Sequence, residues 1–269
     1  MKNKISFLSK LHSALHLYKI GLKVAFSTEL AYRANFIMSS LIMLCFNILF
    51  PLVTVLMYQW SSFPGWNIWE VLLIQSIFTI AQGFNSMFFS GIFWQTNERI
   101  REGSLEVILL KPVNSLLFMM SSSINPEGIG VMLGGGIMYG FALYHVGITS
   151  IAFFVQSVLF FLGGLCVMWS FTMIMSATSF KWVGNSRIPE IFDSLLNFGK
   201  YPSKIFPQAI QAIITYIIPV AMIGYYPASA LLGKMEISQL LLLIPCVIFC
   251  ILGMLLYNWM IKLYEGVGG

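Results

Sequence analysis

The sequence predicts an all-α integral membrane protein with six transmembrane helices, and three observations support this class. Of the 269 residues, 58% are apolar and only 9% are charged, whereas about 25% of the residues in a soluble domain carry a charge. The apolar residues form stretches long enough to cross a bilayer, and the basic residues lie between those stretches. So few charges cannot cover a surface that faces water, and we therefore expect the apolar surface to face lipid.

Residues 1–33 are interpreted as a cytoplasmic N-terminus with an amphipathic helix at the inner membrane interface. A polar and an apolar stripe run side by side at helical spacing. Such a helix either anchors the N-terminus or acts as an elbow that couples cytoplasmic motion to the bundle, and the sequence does not separate the two. Basic residues interrupt any signal-peptide core, so no cleavable signal is expected. The polar stripe is His12, His16, Lys19, Lys23 and Ser27, and the apolar stripe is Leu11, Leu15, Tyr18, Leu22 and Ala25.

Residues 34–269 are predicted to form one transmembrane domain. A helix needs about 20 apolar residues to cross the hydrocarbon, because its backbone groups must hydrogen-bond within the segment. The fifth of the six predicted spans is shorter than the others. The spans are 35–58, 68–93, 128–144, 151–175, 209–225 and 240–261.

The basic residues predict the orientation. Lys and Arg near the ends of spans usually stay on the cytoplasmic side. With six spans, every Lys and Arg except Lys234 falls on one side, together with both termini. Both termini are therefore predicted to be cytoplasmic, and so is the loop between the fourth and fifth spans, which carries Lys181, Arg187, Lys200 and Lys204. This distribution also argues against a nucleic-acid partner, because the basic residues do not form one soluble face.

The segment 95–116, between the second and third spans, is the most informative soluble stretch. A charged start leads through a glycine into a short helix that ends before Lys111-Pro112. A short helix with one charged and one apolar side, at the inner face, is suited to dock a cytoplasmic partner. The alternative is a solvated loop. The candidate docking residues are Glu98, Arg99, Arg101, Glu102, Gly103, Leu105, Glu106, Val107, Leu109 and Leu110.

Uncharged polar residues and glycines mark the interior of the spans. Gln75, Gln82 and Asn85 lie in the second span and Gln156 lies in the fourth. They predict either hydrogen bonds between helices or a translocation path. Two GxxxG pairs in the third span predict close helix packing within or between subunits. These glycines are Gly130, Gly134, Gly136 and Gly140.

Patterns of catalytic chemistry are missing from the sequence. There is no GxxxxGK[ST], HExxH, GxSxG or GxGxxG pattern, and no metal-ligand spacing. The four cysteines, Cys45, Cys166, Cys246 and Cys250, lie inside apolar runs and are interpreted as packing residues. We therefore expect no enzyme, no metal site and no cofactor on this chain.

Two regions carry a family resemblance. They are IREGSLEVILLKPVN (residues 100–114) and FGKYPSKIFP (198–207) with IIPVAMIGYYPASALLG (217–233). At these regions, and in the spacing of its spans, the chain resembles the permease subunits of ABC-2-type ATP-binding-cassette exporters, in the branch that includes daunorubicin-type and many uncharacterised bacterial systems.

The resemblance implies a permease of the bacterial inner membrane that pairs with a second copy or a similar permease. It also implies two copies of a cytoplasmic ATPase, which bind ATP and Mg and drive the substrate outward. Residues 98–110 would be the coupling helix and residues 11–26 the elbow helix. Residues 217–233 would end the fifth span and turn back into the outer leaflet. No substrate residue carries over.

Two other classes remain as alternatives. A secondary transporter or channel would use Glu70, Glu127 and the polar side of the second span. A non-transporting membrane scaffold fits the missing chemistry but does not explain the docking helix. Lipid, drug, peptide and ion all remain open as cargo, and the aromatic-rich spans favour an amphipathic molecule only slightly.

Overall fold

The computed structural model describes residues 7–58, 65–147, 150–182 and 187–264, and every regular element in these ranges is helical. Short 3₁₀ turns connect several of the helices. The α-helices are α1 (Phe7–Ala31), α2 (Arg33–Tyr58), α3 (Ile68–Phe88), α4 (Ser90–Arg101), α5 (Leu105–Leu109), α6 (Ser115–Ser122), α7 (Gly128–Val146), α8 (Ile151–Ser179), α9 (Arg187–Leu196), α10 (Gln208–Ala212), α11 (Tyr225–Leu231) and α12 (Leu243–Met260).

Within the described ranges, five helical stretches are long and apolar enough to cross a membrane, which confirms the all-α membrane class. They coincide with five of the six predicted spans. The second is longer than predicted, because α4 continues α3 after an irregular residue, Phe89. The stretches are Arg33–Leu56, Ile68–Arg101, Gly128–Val146, Ile151–Ser179 and Ile237–Leu263.

The predicted fifth span, 209–225, is not a single helix, and this prediction is corrected. Helix α10 passes into a π turn, Ile213–Ile217, and regular structure then stops before Pro219. Proline has no N–H to donate and disfavours a helical conformation at the residue before it. A 3₁₀ turn, Val220–Met222, follows, and α11 begins at Tyr225. The sequence signal was apolar composition, which does not distinguish one long helix from two short ones.

Helices α8 and α12 pack side by side and run parallel. A β-carbon added to Gly163 would lie 2.7 Å from Leu243 Cδ2. One added to Gly253 would lie 3.1 Å from Ser170 Cα, and the Phe180 and Tyr257 rings lie 5.4 Å apart. Residue numbers thus rise together along both helices. The chain between them must therefore return along the length of the bundle, and it does so through the short pieces from α9 to α11.

The elements α2, α3 and α7 form the other half of the bundle. A β-carbon on Gly130 would collide with the Ser40 carbonyl of α2, and one on Gly135 would lie 2.8 Å from Ile80 of α3. Helix α7 runs parallel to α2 and antiparallel to α3. The described residues form a large hydrophobic cluster through the middle of the bundle and a smaller one where α4, α5, α6, α8 and α12 meet.

Helix α1 covers most of the predicted amphipathic segment and reaches α2 after one turn residue, Tyr32. The predicted polar stripe is exposed, while Tyr18, Leu22 and Ala25 are half-buried. The side chain of Leu11 lies outside the described residues. A β-carbon on Gly21 would collide with the Ser121 carbonyl of α6, so α1 rests on α6. The elbow function stays a prediction.

Candidate functional site

The predicted docking segment folds as a tight turn followed by a short helix. Helix α4 ends at Arg101, and the Ser104 N–H donates to the Arg99 carbonyl at 2.9 Å. Gly103 between them has a φ of +70°, a conformation that glycine adopts without steric cost. The turn redirects the chain into α5, which ends before Lys111-Pro112.

The two sides of α5 have different environments. Leu105 and Ile108 are only 2% and 1% exposed, whereas Val107 and Leu110 are 61% and 85% exposed. Leu105 was predicted to dock a partner, and the structure corrects this because its side chain is in the core. Ile108 follows Leu105 by three residues and shares its helix face. Its burial was not predicted. Helix α5 is thus fixed to the bundle by one side and presents apolar side chains on the other.

Charged side chains border this exposed apolar patch. Of the predicted docking residues, Glu98, Arg101, Glu102 and Glu106 are exposed. Arg99 is half-buried and donates to Gln95 Oε1 at 3.4 Å. An apolar centre with a charged rim is the common composition of a protein-binding patch. We call the exposed residues Arg101, Glu102, Glu106, Val107, Leu109 and Leu110 the docking patch.

The docking patch is mechanically connected to the bundle. Leu105 and Ile108 belong to one buried cluster with Ile100, Met119, Trp169, Met173, Phe180, Tyr257 and Met260. Gln95 of α4 also donates to the Ser122 carbonyl of α6 at 2.7 Å. A displacement of α5 would therefore also displace α4, α6, α8 and α12, since close-packed side chains transmit strain.

A partly open cavity of about 460 Å³ lies between α2, α3 and the segment that follows α8. Its lining mixes aromatic and polar side chains with two charged ones. The lining residues are Asn47, Phe50, Pro51, Thr54, Gln75, Phe78, Thr79, Gln82, Asp193, Leu196, Asn197, Lys200 and Tyr201.

Lys200 lies far from the cytoplasmic loop predicted from charge counting. Its Nζ is 5.1 Å from the centre of the Phe78 ring and 5.9 Å from that of Phe50. Phe78 is ten residues along α3 from Ile68, a distance of about 15 Å at 1.5 Å per residue, or half the thickness of a hydrocarbon core of about 30 Å. The prediction that Lys200 lies in a cytoplasmic loop is therefore corrected. The chain continues from α9 into the 3₁₀ turn Asn197–Lys200, which packs against α3 and places this lysine beside it.

The four predicted polar residues of the spans divide into two pairs. Gln75 and Gln82 line the cavity. Asn85 Oδ1 instead accepts from Thr172 Oγ1 at 3.5 Å, and Gln156 Nε2 donates to the Glu236 carbonyl at 3.2 Å. The hydrogen bonds of Asn85 and Gln156 therefore agree with the interpretation as contacts between segments of the bundle, whereas Gln75 and Gln82 face a cavity.

An ion pair ties the return segment to α3 at the opposite end from α5. Lys234 Nζ lies 2.7 Å from Glu70 Oε2 and 4.2 Å from the centre of the Trp66 ring. The same carboxylate accepts from the Asn67 N–H at 2.9 Å, which caps α3. Within the described ranges, no group of three His, Cys, Asp or Glu residues is placed to hold a metal ion.

A family comparison decides the class of protein. The model of the ABC-2 family transporter protein matches residues 36–268. The chain belongs to the ABC-2 transporter family. Comparisons with curated proteins and with solved structures found no match. The predicted resemblance is thereby confirmed, and the match includes α5 and every residue that lines the cavity, while it begins after α1.

The glycines of α7 have unequal roles in this ABC-2 protein. Gly130 and Gly134 face α2, where a β-carbon on Gly134 would lie 3.3 Å from the Leu44 carbonyl. Gly136 and Gly140 have open space where a β-carbon would stand. Gly135, which packs against α3, was missed because the GxxxG pattern skips the middle of Gly134-Gly135-Gly136. Close packing within the chain thus explains two of the four predicted glycines.

Proposed function

We propose that this ABC-2 protein is the membrane-spanning permease subunit of an exporter driven by a separate cytoplasmic ATPase. One observation carries the proposal: α5 is clamped to the bundle through Leu105 and Ile108, and its other side presents an apolar patch with a charged rim. A partner that seats on the docking patch moves the ends of three long helices. ATP and Mg would be bound by that partner.

The inner ends of the helices supply the coupling route. A push on α5 passes to α4, α8 and α12 through the shared cluster. It also passes to α6, whose backbone touches Gly21 of α1. This supports the elbow role for α1, because an interfacial helix that follows α6 resists or transmits its movement.

The proposed topology has six crossings, with the sixth made by the broken return path between α8 and α12. The parallel packing of these two helices supports it, since the connection has to change sides. Lys234 and the docking patch then lie on opposite faces, with both termini and α5 in the cytoplasm. This agrees with the position of the basic residues.

A second permease copy, or a similar permease, would complete the transporter. Much of α2 is exposed in the single chain, including Ile37 and Leu41 near its start. These side chains meet lipid or a partner helix. The open space beside Gly136 and Gly140 offers a second face for close helix approach.

Co-purification and energy dependence test the proposed function. The full chain, extracted from its native membranes in mild detergent, should carry an ATP-binding-cassette ATPase and show Mg-dependent ATP hydrolysis. A chain that crosslinks to no ATPase in native membranes would overturn the proposal. A secondary transporter gains no support from Glu70, because that carboxylate is engaged by Lys234 at the rim.

A further inference from the structure

We propose that the cavity between α2, α3 and the Asp193–Tyr201 segment binds an acidic, hydroxyl-bearing lipid, and that lipids of this class are the exported substrate. The assignment of these lipids as the substrate rests on the proposed exporter function, whereas their binding to the cavity does not. Three features of the cavity carry the proposal: a cation with no ion pair among the described residues, two buried acceptors without a hydrogen-bond partner there, and an aromatic wall that faces outward.

The cation is Lys200. A lysine ammonium at this depth costs several kcal/mol in hydrocarbon and persists mainly for a function. Among the residues that the structure describes, its Nζ makes no ion pair. The Asp193 carboxylate is near enough to interact electrostatically but does not contact it. The ammonium otherwise faces the rings of Phe50 and Phe78. No described carboxylate lies within ion-pair distance of it, so an acidic group of a ligand can pair with it.

The acceptors are the amide oxygens of Gln75 and Gln82. Both Oε1 atoms are buried and have no hydrogen-bond partner within the described part of the chain, and Gln75 is only 4% exposed. An unsatisfied buried acceptor costs about 1–3 kcal/mol. A ligand that supplies donors in the cavity would remove this cost.

Three other polar side chains of the cavity donate to backbone carbonyls instead of to these amide oxygens. Thr79 Oγ1 donates to the Gln75 carbonyl at 2.8 Å, and Thr54 Oγ1 donates to the Phe50 carbonyl at 3.3 Å. Asn47 Nδ2 donates to the Met43 carbonyl at 2.9 Å. Besides Asp193, Asn197 and Tyr201, the walls therefore offer the Lys200 ammonium and the two unpaired amide oxygens of Gln75 and Gln82. The ligand that complements these groups carries an acid together with hydroxyl or N–H donors.

The aromatic wall indicates that the ligand arrives from the bilayer. Phe50 lines the cavity and is 74% exposed on the outer surface of α2. The neighbouring surface of α2 is apolar, with Phe46 and Val53 also exposed. A molecule that enters here passes a hydrocarbon-facing surface before it meets Lys200, and it therefore needs an apolar tail as well as a polar head.

The probe for a direct test is phosphatidylglycerol, which has an acidic phosphate and two hydroxyl groups. The purified full chain is placed in phosphatidylcholine nanodiscs with a minor fraction of phosphatidylglycerol, without any ATPase, and the retained lipids are counted by native mass spectrometry. We expect phosphatidylglycerol to be enriched over phosphatidylcholine, and Lys200→Gln to lower the enrichment about tenfold, as expected for one charged hydrogen bond. Lys200→Arg should preserve it.

Matched variants separate the site from general surface charge. Lys204, four residues away and exposed, is the control, and Lys204→Gln should leave the enrichment unchanged. Gln75→Leu should weaken binding of phosphatidylglycerol but not of phosphatidic acid, which lacks the glycerol hydroxyls. No enrichment in the wild-type chain, or equal loss in Lys200→Gln and Lys204→Gln, would overturn the site. Displacement of the lipid by soluble glycerol phosphate would overturn the requirement for a tail.

The substrate assignment has its own readout. In the complex with its ATPase, phosphatidylglycerol should stimulate ATP hydrolysis above the rate in phosphatidylcholine alone, and the stimulation should disappear in Lys200→Gln. If phosphatidylglycerol binds but does not stimulate ATP hydrolysis, the substrate role is overturned while the lipid-binding site still stands. Binding by the isolated chain does not depend on the docking patch, so a failure of the proposed ATPase partnership and a failure of this site give different results.

Discussion

Gly21 of α1 lies directly against the backbone carbonyl of Ser121 in α6, with no room for a side chain between them. This contact joins the N-terminal helix to the element that follows the docking helix. A larger residue at position 21 must push the two helices apart, because the obstacle is backbone and not a flexible side chain.

The first prediction concerns this contact. Gly21→Leu should lower the free energy of unfolding by about 1–3 kcal/mol, as for an overpacked site, and should reduce transport more than assembly with the ATPase. The thermal midpoint in detergent and ATP-driven lipid transport in vesicles measure the two effects. Ser27→Leu is the control, since position 27 is exposed on the same helix. Equal midpoints for Gly21→Leu and the wild-type protein would contradict the close contact.

The second prediction concerns the docking patch. The double substitution Val107→Asp and Leu109→Asp should weaken ATPase binding by about 2 kcal/mol or more, roughly thirtyfold, because it places charges at an apolar interface centre. Folding should be unaffected, since both side chains are exposed. Ile108→Asp, between them, should instead unfold the inner end of the bundle. Pull-down of the ATPase and thermal midpoints distinguish the outcomes, and normal ATPase binding by the double variant would remove the docking role.

The third prediction concerns the turn before α5. Gly103→Ala should cost about 1–2 kcal/mol, because its φ of +70° is unfavourable for a residue with a β-carbon. Gly103→Asn should cost less, since asparagine tolerates this conformation. No atom of the described residues lies within 4 Å of the added carbon, so the effect isolates backbone strain. Thermal midpoints should rank Gly above Asn above Ala, and a midpoint for Ala equal to that of Gly would argue against the left-handed turn.

The fourth prediction concerns the topology. In a cysteine-free background, Ser238→Cys should react with a membrane-impermeant maleimide added outside intact cells. Val107→Cys should react only after the cells are opened. Both side chains are exposed, so access depends on the side of the membrane alone. Labelling of both from outside would reduce the count to five crossings.

Much of the fold could be predicted because it depends on composition. The five long spans follow from apolar runs with few charges, and the docking turn follows from Gly103 and Pro112. Lys200 shows the limit of this approach: counting charges places every lysine between spans outside the lipid, whereas α9 carries this one along α3. Its surroundings depend on contacts with Phe50 and Phe78, which are more than 100 residues away in sequence.

The candidate sites show the same division. The exposure of Val107 and Leu110 follows from the local pattern. Leu105 is an equally apolar residue but is buried, because the side of α5 that faces the bundle is decided by packing against α8 and α12. Gln75, Gln82 and Asn85 were predicted together as polar residues of one span. Only Gln75 and Gln82 line the cavity, because its third wall comes from the chain between α8 and α12. Tertiary contacts of this kind leave no periodic signal.

The interruption at Pro219 has a consequence for how the protein is made. A nascent chain enters the lipid one apolar helix at a time, yet the helical stretch Gln208–Ile217 is too short to cross alone, and the peptide groups beside Pro219 would be costly in hydrocarbon. We expect this region to wait at the ribosome-bound insertion machinery until α12 has been synthesised. The final helix then completes the return path, so truncation before residue 243 should yield a product that quality-control proteases remove.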